Sequence, residues 1–135
     1  MQGFSTIHQY FLRITPPFVT ASHGILEKLQ KHRDQPWRDI AVIYSDYGID
    51  KPVLAALSKA GIPVTYQDDI TFAEKEDTVK FLTMHSCKGL EFPLVAIPGA
   101  GRVVDEGRKD EEARLLYVAM TRATRELVVA GQQLP

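Results

Sequence analysis

The run Ile40-Ala41-Val42-Ile43-Tyr44 is apolar at every position. A strand with one face in water alternates apolar and polar residues. An unbroken β-branched run therefore predicts a central strand covered on both faces, as in a parallel sheet flanked by helices. Further short apolar runs fall at Ile62–Tyr66, Val79–Met84, Leu94–Ile97 and Glu126–Ala130. Helical spacing separates them. Ser22 to His32 carries Ile25, Leu26 and Leu29, with Ser22 as N-cap, and Asp50 to Ala60 puts Val53, Leu54 and Leu57 on one face before stopping at Gly61. A third helix is expected from about Asp110 to Thr124, where Glu111 and Glu112 suit the positive end of the helix dipole. The expectation is an α/β three-layer sandwich with a mainly parallel sheet. A Pro16-Pro17-punctuated lead-in over residues 1–20 precedes one domain over 21–135.

Composition narrows the function more than the fold. At 135 residues, 44% hydrophobic and 24% charged, the chain is ordinary for one domain with its own core. A net charge of −1 argues against binding nucleic acid through bulk positive charge, so any such contact must be local. The single Cys87 excludes an internal disulfide and a cysteine cluster for structural zinc, and no metal site is readable. The first residues, Met1 to His8, lack a charged n-region and a long apolar h-region, and no run approaches a membrane span. The expectation is a soluble, cytoplasmic protein with no membrane partner.

Ligands of open parallel sheets bind outside the carboxyl ends of strands, which points to the loops after Tyr44, Met84 and Ile97. The segment Thr83-Met84-His85-Ser86-Cys87-Lys88-Gly89-Leu90-Glu91-Phe92 leaves one of those ends. His85 can hydrogen-bond to or stack on a base, Lys88 can pair with phosphate, Gly89 permits close backbone approach, and Glu91 can accept from a ribose hydroxyl. Each also has a plain structural role: a satisfied strand-end histidine, a solvated lysine, a turn glutamate. Cys87 has no histidine–aspartate pattern around it and reads as structural.

The second segment is Arg114-Leu115-Leu116-Tyr117-Val118-Ala119-Met120-Thr121-Arg122-Ala123. Its apolar residues from Leu115 to Met120 cover most of a helix circumference, which predicts burial between the sheet and another surface. Arg122 in the last turn complements the helix dipole, an effect of about 0.3–1 kcal/mol. A sharper reading makes it an arginine finger, a guanidinium held rigidly toward a transferring γ-phosphate. Arg114 fits a salt bridge to Glu111 or Asp110, and Arg125 fits solvent.

Together these segments resemble the two C-terminal motifs of UvrD/Rep-type superfamily 1 DNA helicases, one similar to T-x-H-x-x-K-G-L-E-(F/W) and one similar to E-E-x-R-L-x-Y-V-A-x-T-R-A. The upstream strand Asp39–Tyr44 and the segment Leu57–Pro63 look like the family's strand–helix–AGIP piece, so the resemblance covers about residues 20–131. It implies a second RecA-like domain, with Arg122 on the γ-phosphate of ATP and Glu91 on the ribose. It further implies His85, with Thr83, on single-stranded DNA, Gly89 in the turn between, and Lys88 supporting either job. The implied cofactor is ATP with Mg²⁺, and the implied partner is an N-terminal RecA-like domain that carries the Walker motifs and holds the Mg²⁺.

What the sequence lacks is equally telling. It contains neither a G-x-x-x-x-G-K-(S/T) phosphate loop nor an Asp-Glu pair at a strand end, so the chain is not expected to hydrolyse ATP alone. The family's other phosphate-sensing arginine has no counterpart, since Arg13 and Arg38 lack its context. The short polar connection from Gln67 to Thr78 resembles the compact branch without an inserted accessory domain. The abrupt start and end suggest a domain excised from a longer polypeptide. Two other readings stay open: a stand-alone nucleic-acid-binding module, or a protein-interaction module, each having lost ATPase chemistry. DNA repair by unwinding and by end resection share these motifs.

Overall fold

A computed structural model describes residues 8–13, 25–27, 29–31, 35–44, 47–66, 76–100 and 109–131. Its elements are β1 (His8–Arg13), β2 (Ile40–Tyr44), α1 (Tyr47–Lys59), β3 (Val64–Tyr66), β4 (Val79–Thr83), β5 (Phe92–Ala100), α2 (Lys109–Met120) and β6 (Ala123–Gly131). A 3-10 turn, Trp37–Asp39, leads into β2, and residues 25–27 and 29–31 are helical. The expected N-cap Ser22, most of the 67–78 connection and most of the loop after Gly99 lie outside the described residues.

The six strands form one sheet in the order β1-β6-β5-β2-β4-β3, and every pairing is parallel. As the unbroken apolar run predicts, β2 is central and buried at all five positions. Its pleat divides it: Ile40, Val42 and Tyr44 face a core shared with Ile25, Leu29, Val53 and Leu57, whereas Ala41 and Ile43 face a second core shared with Leu115 and Ala119. This gives the expected three layers, with α1 and the helical residues 25–27 and 29–31 on one face and α2 on the other.

The boundaries differ from expectation in informative ways. β1 lies within the lead-in, where no strand is expected; it pairs with β6 from His8↔Glu126 to Arg13↔Gly131, and its tie to the sheet is a long-range one that periodicity does not report. α1 begins one turn before the expected Asp50 and keeps Pro52 inside it, at the cost of one intrahelical hydrogen bond. It ends as Gly61 predicts. Gly61 adopts φ +80°, Ile62 N donates to Leu57 O at 2.9 Å and Gly61 N to Ser58 O at 3.0 Å, the two bonds of a Schellman cap. β5 is longer than Leu94–Ile97. Its register with β6 shifts between Phe92 and Leu94 and between Ile97 and Ala100, each interval containing a proline, Pro93 or Pro98, that cannot donate to the ladder.

One buried residue defies the apolar reading of β4. Lys80 is 2% exposed, and its Nζ donates to Glu76 O at 2.7 Å, Thr78 O at 3.2 Å and Thr78 Oγ1 at 2.7 Å. Burial lowers its pKa from 10.5, with Glu76 and then Asp77 pulling the other way. Its donors are satisfied, which makes its burial tolerable.

Candidate functional site

The chain leaves β4 at Thr83 and enters β5 at Phe92, two parallel strands with β2 between them. Because the strands are parallel, residues 84–91 must run back along the sheet. Phe81 aligns through Val42 with Ala96; Thr83 lies two residues past that level and Phe92 four before it. The ends of the connection are therefore roughly 20 Å apart along the strands, at about 3.3 Å per residue. Met84 and Cys87 are buried on the α2 face and Leu90 packs against the same core, so the connection crosses the sheet on that side.

The first end is held locally. Met84 N donates to Tyr44 O at 2.9 Å, which continues the β2–β4 ladder by one rung. Thr83 Oγ1 donates to Ser86 Oγ at 2.9 Å and accepts from Ser86 N at 3.2 Å, while Ser86 N also reaches Thr83 O at 3.0 Å. The Thr83 hydroxyl proton is thus engaged inside the turn. His85 stands exposed beside it. This part lies at the carboxyl end of β4, as expected.

Midway, the Cys87 thiol is fully buried and donates to Met84 O at 3.2 Å. Burial raises its pKa above 9.0, opposed first by the Arg122 guanidinium, then by its own backbone N–H, then by Lys88. Two residues on, Gly89 takes φ +80° with open space where a Cβ would sit. Leu90 N donates to Cys87 O at 3.1 Å and closes the turn. Lys88 and Glu91 are exposed.

The second end is held by tertiary contacts, and it corrects an expectation. Helix α2 stops at Met120 rather than near Thr124, and Arg122 lies in the turn between α2 and β6, not in the last helical turn. Phe92 N donates to Arg122 O at 2.9 Å, Ala123 pairs with Phe92, and Thr124 Oγ1 donates to Phe92 O at 3.4 Å. Capture by β5 turns the backbone from helix to strand there. Glu91 and Arg122 are consequently neighbours of one ladder rung, at the amino ends of β5 and β6. The strand-end rule places only Thr83 and His85; Glu91 and Arg122 lie at the opposite, amino ends of the strands.

The Arg122 side chain is half-buried. Its Nε donates to Val118 O at 3.2 Å and its Nη2 to Thr121 Oγ1 at 3.1 Å, and Thr121 Oγ1 donates to Val118 O at 2.7 Å. A contact with the α2 carboxyl end thus survives although the residue has left the helix. Tyr117 departs from the expected burial of the Leu115–Met120 run: it is 69% exposed, while Leu115 and Ala119 are buried. Sequence reasoning missed Ser86, Thr121 and Thr124. Their only sequence signal is a hydroxyl one to three residues from a residue already singled out.

Among the described residues, no group of three or more His, Cys, Asp or Glu side chains could hold a metal ion, and no helix is long and apolar enough to cross a membrane. The groups present suit an anion beside Arg122 and a hydroxyl acceptor at Glu91. Among the described residues they do not include a phosphate-cradling loop.

Comparison with known proteins bears on residues 67–133, which match the sequence profile of the UvrD-like helicase C-terminal domain. The chain is 37% identical over 89 residues to the ATP-dependent DNA helicase Rep of Escherichia coli (strain K12), an alignment covering 58% of this chain and 13% of the relative. It is 42% identical over 71 residues to the ATP-dependent DNA helicase PcrA of Staphylococcus aureus (strain Mu50), covering 45% and 10%. A 40% identical stretch of 67 residues relates it to Rep of Buchnera aphidicola, covering 44% and 10%. The matched region is about a tenth of each relative's length. In fold, the chain resembles the C-terminal domain of a possible DNA helicase from Lactobacillus plantarum WCFS1, with TM-score 0.62 and 23% identity over 94% of this chain and 74% of that one.

Proposed function

Because this chain carries a UvrD/Rep-type helicase C-terminal domain over residues 67–133, we propose that it is the second motor domain of an ATP-dependent DNA helicase. In this reading ATP lies between it and a first RecA-like domain that brings the phosphate loop and holds the Mg²⁺. Arg122 stabilises charge on the γ-phosphate, Glu91 accepts from the ribose, and Lys88 and Gly89 shape the approach to that site. His85 contacts single-stranded DNA at the other end of the connection. Thr83 contributes mainly by setting the turn that presents His85, since its proton is engaged by Ser86.

The observation that carries the reading is the rung joining Phe92 N to Arg122 O. It brings the backbones that carry Glu91 and Arg122, from distant segments, to the same end of the sheet, with a single connection leading from there to His85. Domain closure on nucleotide would load that end of the sheet and, through residues 84–91, the opposite end, which faces DNA. The low net charge agrees with a contact made by a few residues rather than a basic surface.

The test is ATP hydrolysis by this chain alone and joined to a phosphate-loop domain, with and without single-stranded DNA. Activity in the joined protein only, stimulated by DNA, is the expected result. Equal hydrolysis by the joined protein and its Arg122→Ala variant would sink the assignment.

A further inference from the structure

We propose that Thr121 is a positioning residue for Arg122, its hydroxyl fixing which edge of the guanidinium is presented to an anion; the inference rests on the motor-domain reading above. The two donors already engaged, Nε to Val118 O and Nη2 to Thr121 Oγ1, share one side edge of the planar guanidinium. Of the three remaining Nη hydrogens, one on each nitrogen lies along the end-on edge, the fork that matches two oxygens of a phosphate. Two anchors on one edge define the orientation of the plane, whereas one would leave it free to rotate.

The anchor is itself directional. A threonine hydroxyl has one proton, and here it goes to Val118 O at 2.7 Å, which turns a lone pair of Oγ1 toward Nη2. Thr121 N is fixed as well, donating to Tyr117 O and Val118 O at 3.1 Å each, and Arg122 N donates to Ala119 O at 3.1 Å. The last turn of α2 therefore holds both the backbone and the side chain of Arg122 before any nucleotide arrives. Thr121 is exposed and packs into neither core, so its hydroxyl, not its burial, accounts for the arrangement. Such preorganisation raises the rate of the chemical step without altering ground-state affinity.

The experiment uses two variants, Thr121→Val, which keeps the shape and loses the hydroxyl, and Thr121→Ser, which keeps the hydroxyl. In this chain, arginine side-chain NMR follows the Arg122 Nε–H signal. It should shift and exchange faster in Thr121→Val and match wild type in Thr121→Ser, with unchanged thermal midpoints. In the protein joined to a phosphate-loop domain, Thr121→Val should lower kcat about tenfold at unchanged KM for ATP, with Thr121→Ser restoring it. A Thr121→Val chain whose Arg122 signal and kcat equal wild type overturns the positioning role. If Arg122→Ala itself leaves kcat intact, the motor-domain reading fails instead, and the NMR comparison still decides whether Thr121 holds the side chain.

Discussion

The two ends of the 84–91 connection are built by different means. At the carboxyl end of β4 the turn is local: Thr83 and Ser86 bond to each other, and the Met84–Tyr44 rung ties the turn to β2. At the amino end of β5 the chain is held across thirty or more positions, by Phe92 on Arg122 and Thr124 on Phe92. A local turn survives in a short peptide context; a rung between distant segments exists only when the sheet is complete. The end proposed to meet nucleotide therefore depends on the whole fold, and the end proposed to meet DNA depends mostly on its own residues.

Substitutions can break this contrast. The largest effect is expected from Arg122→Ala, which should reduce hydrolysis in the joined protein by about 10³-fold. Its effect on the thermal midpoint of this chain should be small, because the Phe92–Arg122 rung uses only backbone atoms. A midpoint collapse would show that the guanidinium holds the amino end together.

Next comes Gly89→Val, which forces a β-branched residue to φ +80° with no neighbour in the way. Denaturant unfolding should show a loss of about 1–2 kcal/mol from backbone conformation alone. The altered turn should also weaken both ATP turnover and DNA binding in the joined protein. Loss of only one function would mean that the two ends are independent.

Removing the local bonds should cost less. Thr83→Val with Ser86→Ala is expected to destabilise the chain by about 1 kcal/mol in the same unfolding measurement. It should lower single-stranded DNA affinity of the joined protein, measured by fluorescence anisotropy, while basal hydrolysis stays near wild type. Lost basal hydrolysis would contradict the separation of the two ends.

The smallest effect concerns pH. The folded-state pKa of Cys87 is raised above 9.0 by burial, so its stabilising contribution is present below pH 9 and is lost as pH rises through the folded value. Wild type should lose stability from about pH 9 upward relative to Cys87→Ala. Lys80 runs oppositely, its pKa being lowered, and the shared background cancels in the difference between the two proteins. Identical alkaline profiles would place the thiol in solvent contact, against its burial beneath the loop.

Much of this architecture is legible in the residues themselves. The unbroken Ile40–Tyr44 run indicates a strand covered on both faces, and Gly61 marks the end of α1 because glycine tolerates the left-handed cap. His85, Lys88, Glu91 and Arg122 stand out by chemical type and spacing, and the structure leaves the first three exposed. Less legible were β1, whose strand character comes from pairing with β6, and Lys80, whose burial rests on acceptors supplied by Glu76 and Thr78. The end of α2 at Met120 is hidden from local pattern for a related reason. Residues 121–124 favour no state strongly, and the β5 ladder decided them.

The sequence by itself determined the layers and the chemistry-bearing groups, because apolar period and side-chain type are local properties of the chain. Only the tertiary structure decided that Glu91 and Arg122 flank one backbone rung at the amino ends of β5 and β6 while His85 follows the carboxyl end of β4. Parallel pairing makes the 84–91 connection cross the sheet, and the Phe92–Arg122 rung joins segments that no local pattern could relate.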